Sequence, residues 1–267
     1  MKDNIKLTGL SAILFVVIVL LGLTGNIQIP VANTHNLHYP KIEQSKPVHL
    51  VDGDYIVQTK YYTPEGYRPR MKMSVRNGLI THIQYEERTP MGTEIRDNDA
   101  YIQSLKTTVE KYNEFRWQNI TSIIMHQNPY VLPRVSQEPM HESLFRSLAI
   151  TCFKNAEIGK KENTEINDFV WTYRARSDEP NIENHFLELN ATFNGDTLIK
   201  LQTATYDATH HKTTNGFDFG PLIAHHVSQQ NLDYLDPVHF PDVEPEFLAQ
   251  YNDVLVRINN LRNGIPN

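Results

Sequence analysis

Two stretches of the sequence repeat one pattern, and this internal repetition is the strongest constraint on the fold. Residues 71–87, MKMSVRNGLITHIQYEE, read as a strand, a tight turn at Asn77-Gly78 and a second strand. Much later, FLELNATFNGDTLIKLQTATYD repeats the pattern around Asn194-Gly195. Asn-Gly is typical of type I′ turns, because both central residues of such a turn need positive φ. The sequence therefore predicts two hairpins of the same kind.

The repeated unit is larger than the hairpin. In each half, the strands are followed by a helical pattern, a proline-bearing loop and a second helix with regularly spaced apolar residues. We predict an α+β fold of two tandem modules, each with antiparallel strands and two helices. The first module is predicted at residues 50–158, a charged linker at 159–165 and the second module at 166–262.

The hydrophobic pattern also sets bounds for the individual elements. In the first module we predict strands at Tyr55–Tyr62, Arg70–Val75 and Ile80–Glu86, with helices near 98–116 and 140–157. In the second module we predict strands at Phe169–Arg176, Phe186–Phe193 and Leu198–Tyr206, with helices near 219–230 and 245–262. Asp97, Asn98 and Asp99 are residue types that cap a helix start, so they fit the beginning of the first helix.

The N-terminal segment differs from the rest of the chain. Residues 7–25, LTGLSAILFVVIVLLGLTG, carry no charge, and a helix of that length matches the hydrocarbon thickness of a bilayer. Lys2 and Lys6 precede this run, and no Lys or Arg follows it until Lys41, so the positive-inside rule predicts an outward-facing body. We predict a short cytoplasmic N-terminus at residues 1–6, an uncleaved signal anchor and a stalk at 26–49. A cleaved signal peptide is the rival interpretation, but no clear small-x-small cleavage site is present.

Charge and cysteine content exclude several classes of function. The formal net charge of the 267 residues is −6, so a nucleic-acid partner is not expected. Cys152 is the single cysteine and has no internal disulfide partner. His210-His211 and His225-His226 are adjacent pairs whose side chains point in different directions, so we predict no metal site. No nucleophile motif stands out, and we predict no catalytic residue.

The first module resembles a known family. The stretch DGDYIVQTKYYTPEGYRPRMKMSVRNGLITHIQYEE, followed by DNDAYIQSLK, is similar to the FMN-binding domains of bacterial surface lipoproteins. The resemblance covers most of residues 50–158 and, more weakly, 165–262. It implies a bacterial cell-surface protein and an FMN site in which a threonine hydroxyl carries the flavin through a phosphoester bond.

The sequence departs from that family at the attachment motif. Where the family has Ser-Gly-Ala-Thr, this chain has VSQEPMHESLF, so Ser136 matches the serine while Pro139 stands in the place of the threonine. The corresponding stretch of the second module, FPDVEPEFL, contains no serine or threonine. We therefore predict that covalent attachment of flavin is lost in both modules.

Two functions from different classes remain open. The first is a non-catalytic binding or assembly module, which serves an envelope protein or another partner at the cell surface. The alternative is electron transfer through noncovalently bound FMN or another redox ligand. For that alternative the candidate cofactor-binding residues are Tyr55 and Tyr85, as stacking aromatics, and Ser136. Strand aromatics are more often core residues, and the missing threonine favours the first function.

Overall fold

The computed structural model describes residues 49–104, 108–132, 139–213 and 216–266. These residues lie within one compact unit, Val48–Asn267, which has a mixed α+β fold with two sheets and five helices. The predicted membrane span at 7–25 lies outside the described residues, as does the predicted stalk up to residue 48. In the described ranges, none of the helices combines the length and the apolar character that crossing a bilayer requires.

The first sheet has four strands in the spatial order β3-β2-β1-β4. Its elements in chain order are β1 (Gly53–Thr59), β2 (Arg68–Arg76), β3 (Leu79–Arg88), α1 (Asp99–Ser104), α2 (Val109–His126), α3 (Pro139–Ile158) and β4 (Thr164–Ile166). β1 to β3 pair antiparallel, and β4 pairs parallel with β1. α3 packs on β1 and β2 and α2 packs on β3, so both helices cover the same face.

The second sheet has four antiparallel strands in the order β5-β6-β7-β8. Its elements are β5 (Val170–Arg176), β6 (Phe186–Asn194), β7 (Thr197–Tyr206), β8 (Lys212–Thr213), α4 (Gly220–Gln229) and α5 (Pro245–Asn263). The predicted α+β class is confirmed, and each sheet has its own hydrophobic core. The assignment of either half to the FMN-binding family stays a prediction.

The two hairpins share a register shift and a two-residue turn. The Asn-Gly pair forms the turn in the first hairpin but begins one residue before the turn in the second. Val75 lies opposite Ile80, and Phe193 lies opposite Leu198, with a register shift beside each pair. In the first hairpin Asn77 and Gly78 have φ of 54° and 73°, as a type I′ turn requires. In the second hairpin the predicted turn at Asn194-Gly195 is wrong, because Asn194 still pairs with Thr197 at the end of the ladder. The turn residues are Gly195 and Asp196, and Gly195 supplies the positive φ.

The first predicted helix, near 98–116, is interrupted. Its start is capped as expected, because Asn98 accepts a hydrogen bond from the Tyr101 backbone N–H. α1 ends at Ser104, however, and Thr108 opens a new helix by accepting a hydrogen bond from the Lys111 N–H. A good N-cap residue within an amphipathic pattern therefore divides it into two helices. Residues 105–107 lie outside the described ranges.

The predicted linker contributes to the first sheet. Thr164 and Glu165, its last two residues, belong to β4 and lie beside Val57 and Gln58 of β1. The sequence GKKENTE has no strand pattern, so this short parallel pairing was not predicted. β4 leaves the first sheet and leads directly to β5 of the second.

The C-terminal helix connects the two sheets. The Arg262 guanidinium of α5 lies 3.5 Å from the ring centre of Tyr61 and 4.0 Å from that of Phe193, and it donates to the Gly195 carbonyl at 2.6 Å. Just beyond, Gly264 has φ of 69° and packs against Tyr62 so closely that a Cβ would lie 2.3 Å from the ring. Tyr61 and Tyr62 follow β1, so the second half of the chain is packed against the first.

We expect His226 to make the second sheet and the helices packed on it sensitive to mild acid. His226 of α4 is fully buried against Tyr251, and burial, followed by the neighbouring His225, lowers its pKa from 6.5 to about 4. The unfolded chain binds the proton first, so the free energy of unfolding should fall as the pH drops from 6.5 to 4, by on the order of 2 kcal/mol.

Urea denaturation at several pH values checks this expectation. His226→Phe should flatten the fall in unfolding free energy between pH 6.5 and 4, while His239→Gln, a change at an exposed histidine, should leave it as it is. An unchanged slope in His226→Phe would contradict the assignment of this acid sensitivity to His226.

Candidate functional site

A cleft with a volume of about 350 Å³ lies along β3, the outermost strand of the first sheet. We call it the edge cleft. One wall is β3, and the other is formed by α2 and by the 3₁₀ turn Ile95–Asp97 with the residue before it. The lining residues are His82, Ile83, Gln84, Tyr85, Glu86, Arg88, Glu94, Arg96, Arg116 and Ile120.

A second cleft, of about 200 Å³, adjoins the first on the face of the sheet opposite α3. We call it the sheet cleft. Its lining residues are Gln58, Tyr62, Arg68, Arg70, Glu86, Arg88 and Thr89. Successive residues of a strand point to opposite faces, so Arg68 and Arg70 of β2 share the outer face while Met71 and Met73 enter the core. Glu86 and Arg88 line both clefts.

Positive charge dominates the two clefts in an otherwise acidic protein. Together they contain five arginines and two glutamates, whereas the whole chain has a net charge of −6. Both oxygens of Glu86 are occupied, by Arg70 at 2.9 Å and by Arg88 at 3.1 Å. Burial alone would raise the pKa of Glu86, but the two arginines outweigh it and hold the pKa below its ordinary value. Glu86 is therefore ionised, and the two arginines already balance its negative charge.

The second glutamate of the edge cleft is neutralised in the same way. Glu94 accepts from Arg116 at 2.9 Å through one oxygen and from Arg96 at 2.7 Å through the other. Arg116 is only 12% exposed and also donates to the Tyr85 carbonyl of β3. Arg88 and Arg96 are 48% and 49% exposed, and Arg88 also donates to the Gly92 carbonyl at 3.3 Å. Each guanidinium carries five N–H donors.

The strand register places two arginines directly opposite each other. Arg68 of β2 faces Arg88 of β3, and like charges in such a pair are destabilising. Arg68 is partly balanced by Glu165 of β4, at 2.6 Å. At the same place in the second sheet Phe186 faces Tyr206, with no charge repulsion between them. The Arg68 guanidinium reaches over β1, because it also donates to the Thr59 carbonyl at 2.8 Å and to the Lys60 carbonyl at 3.2 Å.

A buried hydrogen-bond cluster lies behind the edge cleft. Glu87 points inward, opposite to Glu86, and one of its oxygens accepts from the hydroxyls of Tyr85 at 2.6 Å and Tyr112 at 2.7 Å. The same oxygen lies 3.1 Å from Nδ1 of His141. Burial would raise the pKa of Glu87, but His141 and the tyrosine hydroxyls together lower it. The cluster ties β3 to α2 and α3 and so fixes the wall of the cleft.

The predicted cofactor-binding residues lie apart from one another. Tyr55 is fully buried, and its hydroxyl donates to the Val51 carbonyl at 2.6 Å. Tyr85 contributes to the edge cleft, but its ring is buried against Phe145, with 5.0 Å between ring centres. Ser136 lies outside the described residues. Their part in flavin binding stays a prediction, and neither buried tyrosine ring has a face exposed for stacking.

Sequence reasoning missed the arginines of both clefts. Arg68 and Arg70 alternate with core residues on one strand, as do Glu86 and Arg88 on the next. This alternation was a usable signal that charged side chains gather on the outer face. In the part of the chain that the structure describes, no group of three or more His, Cys, Asp or Glu residues is placed to hold a metal ion.

Comparison with known proteins gives little further information. No protein-family model matches the chain, and no curated protein matches it. Among solved structures, the CPE2226 protein from Clostridium perfringens is similar, with 26% sequence identity and a TM-score of 0.39. That match covers 44% of this chain and 97% of the other.

Proposed function

We propose that this chain is a membrane-anchored, outward-facing binding module that holds an anionic ligand in the edge cleft without converting it chemically. The observation that carries the proposal is the state of the cleft's charges. Glu86 and Glu94 already have arginine partners at both oxygens, while Arg88 and Arg96 remain about half exposed. An arriving anion therefore meets guanidinium N–H groups rather than bare carboxylates.

The chemistry of the lining favours binding over catalysis. A guanidinium presents a planar fork of donors that matches carboxylate or phosphate oxygens two at a time. Among the described lining residues of the edge cleft there is no serine, threonine or cysteine to act as a nucleophile. A local positive field in a chain of net charge −6 also concentrates small anions at the cleft.

The membrane anchor rests on the sequence. The uncharged run at residues 7–25, with Lys2 and Lys6 before it, supports a single span with the body outside. A protease added to intact cells should digest the body. Full protection of the body in intact cells, with digestion only after lysis, would contradict the proposed orientation.

Electron transfer with noncovalent FMN is the second candidate. The arginines of the edge cleft suit the phosphate end of FMN. The lining gives no support for the flavin ring, because the Tyr85 ring is buried against Phe145. The visible absorption spectrum of the purified chain from a flavin-replete host separates the two candidates. A yellow protein whose colour is released by acid precipitation would favour this second candidate.

We expect the full chain, in detergent, to bind phosphate and citrate with an affinity that weakens as salt is added. The double change Arg88→Gln and Arg96→Gln should lower the affinity about 100-fold or more, since two charged hydrogen bonds are lost and each contributes roughly 1.5–3 kcal/mol. Isothermal titration calorimetry measures both effects.

Arg174→Gln is the matched control for this titration. Arg174 also pairs with a buried glutamate, Glu188, but it lies in the second sheet, away from both clefts. Anion affinity should be unchanged in this variant. No measurable binding to the unmodified chain, or equal losses in the double variant and the control, would contradict the proposed function.

A further inference from the structure

We propose that the edge cleft and the sheet cleft together bind one linear polymer that carries repeated phosphate groups. This inference rests on the proposed function, because the edge cleft forms half of the groove. It goes beyond that function by naming the ligand as an extended polyanion rather than a small anion.

The two clefts adjoin each other. Glu86 and Arg88 line both of them, so this pair of side chains stands where the clefts meet. From β3 the groove crosses the outer face of the sheet, where Glu86, Arg70 and Gln58 stand at the same register on three neighbouring strands. Neighbouring strands lie about 4.8 Å apart, so this crossing alone measures roughly 10 Å. A single phosphate ion is too small to contact both ends.

The distribution of charge fits repeated phosphates. The five arginines are spread over the whole groove rather than gathered at one point: Arg116 and Arg96 at the edge, Arg88 in the middle, and Arg70 and Arg68 on the sheet. Each cleft can therefore contact a different phosphate group of one chain.

The corresponding face of the second sheet lacks these features. Phe186 and Tyr206 stand where the first sheet has Arg68 and Arg88, and they hold the Arg176 guanidinium at 4.7 and 4.9 Å from their ring centres. The arginine is thus committed to its aromatic neighbours. The described face of the second sheet therefore lacks the arginines of the Arg68 and Arg88 positions, and it serves as an internal control.

An acidic peptide fits the groove less well than a phosphate polymer. Peptides that bind at a sheet edge do so through main-chain hydrogen bonds. On β3 the Ile80 N–H donates to the Gln127 side chain at 2.6 Å, and the Ile80 carbonyl accepts from it at 3.0 Å. Arg116 occupies the Tyr85 carbonyl. Backbone pairing along the free edge of β3 is therefore blocked at two places. A ligand in the groove has to be bound by the arginine side chains.

A nucleic acid is also disfavoured. Single-stranded nucleic acids combine phosphate contacts with stacking of bases on exposed aromatic rings. Of the two tyrosines in the groove, Tyr85 is buried, and Tyr62 has the Arg68 guanidinium 5.8 Å from its ring centre. The groove offers guanidinium groups at intervals and no open aromatic platform.

A series of phosphate chains of increasing length tests the proposal. Orthophosphate, tripolyphosphate and long-chain polyphosphate are titrated into the full-length protein in detergent, at two or more salt concentrations. We expect the affinity per chain to rise at least 100-fold from orthophosphate to the long chain. The long chain should also show the steepest loss of affinity with salt, because it releases more counterions.

Arg70→Gln addresses the sheet cleft, with Arg174→Gln again as the matched control. Arg70→Gln should weaken long-chain binding about tenfold more than it weakens orthophosphate binding, and Arg174→Gln should alter neither. Thermal melts of each variant establish that it is folded. The length and salt dependence of the unmodified chain tests the groove even where a variant fails to fold.

The outcomes separate this proposal from the proposed function. Equal affinity for orthophosphate and the long chain would overturn the groove and leave the edge cleft as an anion site. Failure of every anion to bind would overturn both. Tighter binding of poly-glutamate or of oligo-dT than of polyphosphate of equal charge would overturn the choice of polymer.

Discussion

Replacing Glu87 by alanine is expected to lower the free energy of unfolding by about 3–5 kcal/mol, the usual cost of removing one partner from a buried charged cluster. The carboxylate is fully buried and accepts from Tyr85 and Tyr112, with His141 at 3.1 Å. Without it, two buried hydroxyls and a buried imidazole lose a hydrogen-bond partner in a medium that cannot replace it. Urea denaturation followed by far-UV circular dichroism measures the loss.

A double variant tests whether the cost comes from the abandoned partners. Glu87→Leu combined with His141→Leu removes the carboxylate and the imidazole together and keeps the site filled. It should regain the part of the stability that the abandoned imidazole costs, while the Tyr85 and Tyr112 hydroxyls still lack this acceptor. A loss below about 1 kcal/mol in Glu87→Ala would contradict the importance of the cluster. The pKa of Glu87 is lowered in the fold, so the carboxylate stabilises the protein above its ordinary pKa of 4.5. That contribution disappears as the pH falls through the lowered value, and Glu87→Ala should not show this loss.

Replacing Arg262 by alanine is expected to lower the free energy of unfolding by about 3 kcal/mol. The guanidinium is largely buried between Tyr61 of the first half and Phe193 of the second, and it donates to the Gly195 carbonyl. Its removal leaves a gap where the two sheets meet. Arg262→Lys should recover little of the loss, because an ammonium lacks the flat surface that stacks on both rings.

Two spectroscopic probes show whether Arg262 couples the sheets. Trp171 lies in the core of the second sheet. In a background where Trp117, the other tryptophan, is replaced by phenylalanine, tryptophan fluorescence reports on that half, while circular dichroism reports on the whole body. The two unfolding midpoints should coincide in the unmodified chain and separate in Arg262→Ala. Arg257→Ala is the control, since Arg257 is on the same helix and pairs with Asp178 and Asp253 at the surface. A loss no greater than that of the control would count against the coupling.

The sequence predicted the strands best, because the hydrophobic pattern of a strand repeats every two residues. The strands Arg68–Arg76 and Phe186–Asn194 are longer than predicted by only one or two residues at an end. The agreement is close because apolar and polar residues alternate along these strands in the sequence. The turn at Gly195 and Asp196 was misplaced by one residue, since Asn-Gly fits a turn at either register. Only the ladder pairing Asn194 with Thr197 decides between them.

The candidate site depended on information that periodicity does not contain. Alternation predicts that Arg68 and Arg88 point outward, but not that they face each other, because that requires the register between two strands. Glu94 and Arg116 reach the cleft from a turn and a helix whose placement follows from tertiary packing. The tyrosines chosen from the sequence were conspicuous because they are large and aromatic, and the fold uses Tyr55 and Tyr85 as core residues.

β4 has a practical consequence for dividing this chain into fragments. Thr164–Ile166 pair with Val57–Thr59 along the edge of β1 that β2 does not cover, although they follow the last helix of the first half. A fragment that stops at residue 158 would expose that side of β1 as a bare strand edge, which favours association between copies. A recombinant first half should therefore extend past Ile166. During synthesis, likewise, β1 lacks this neighbour until the connecting segment has emerged.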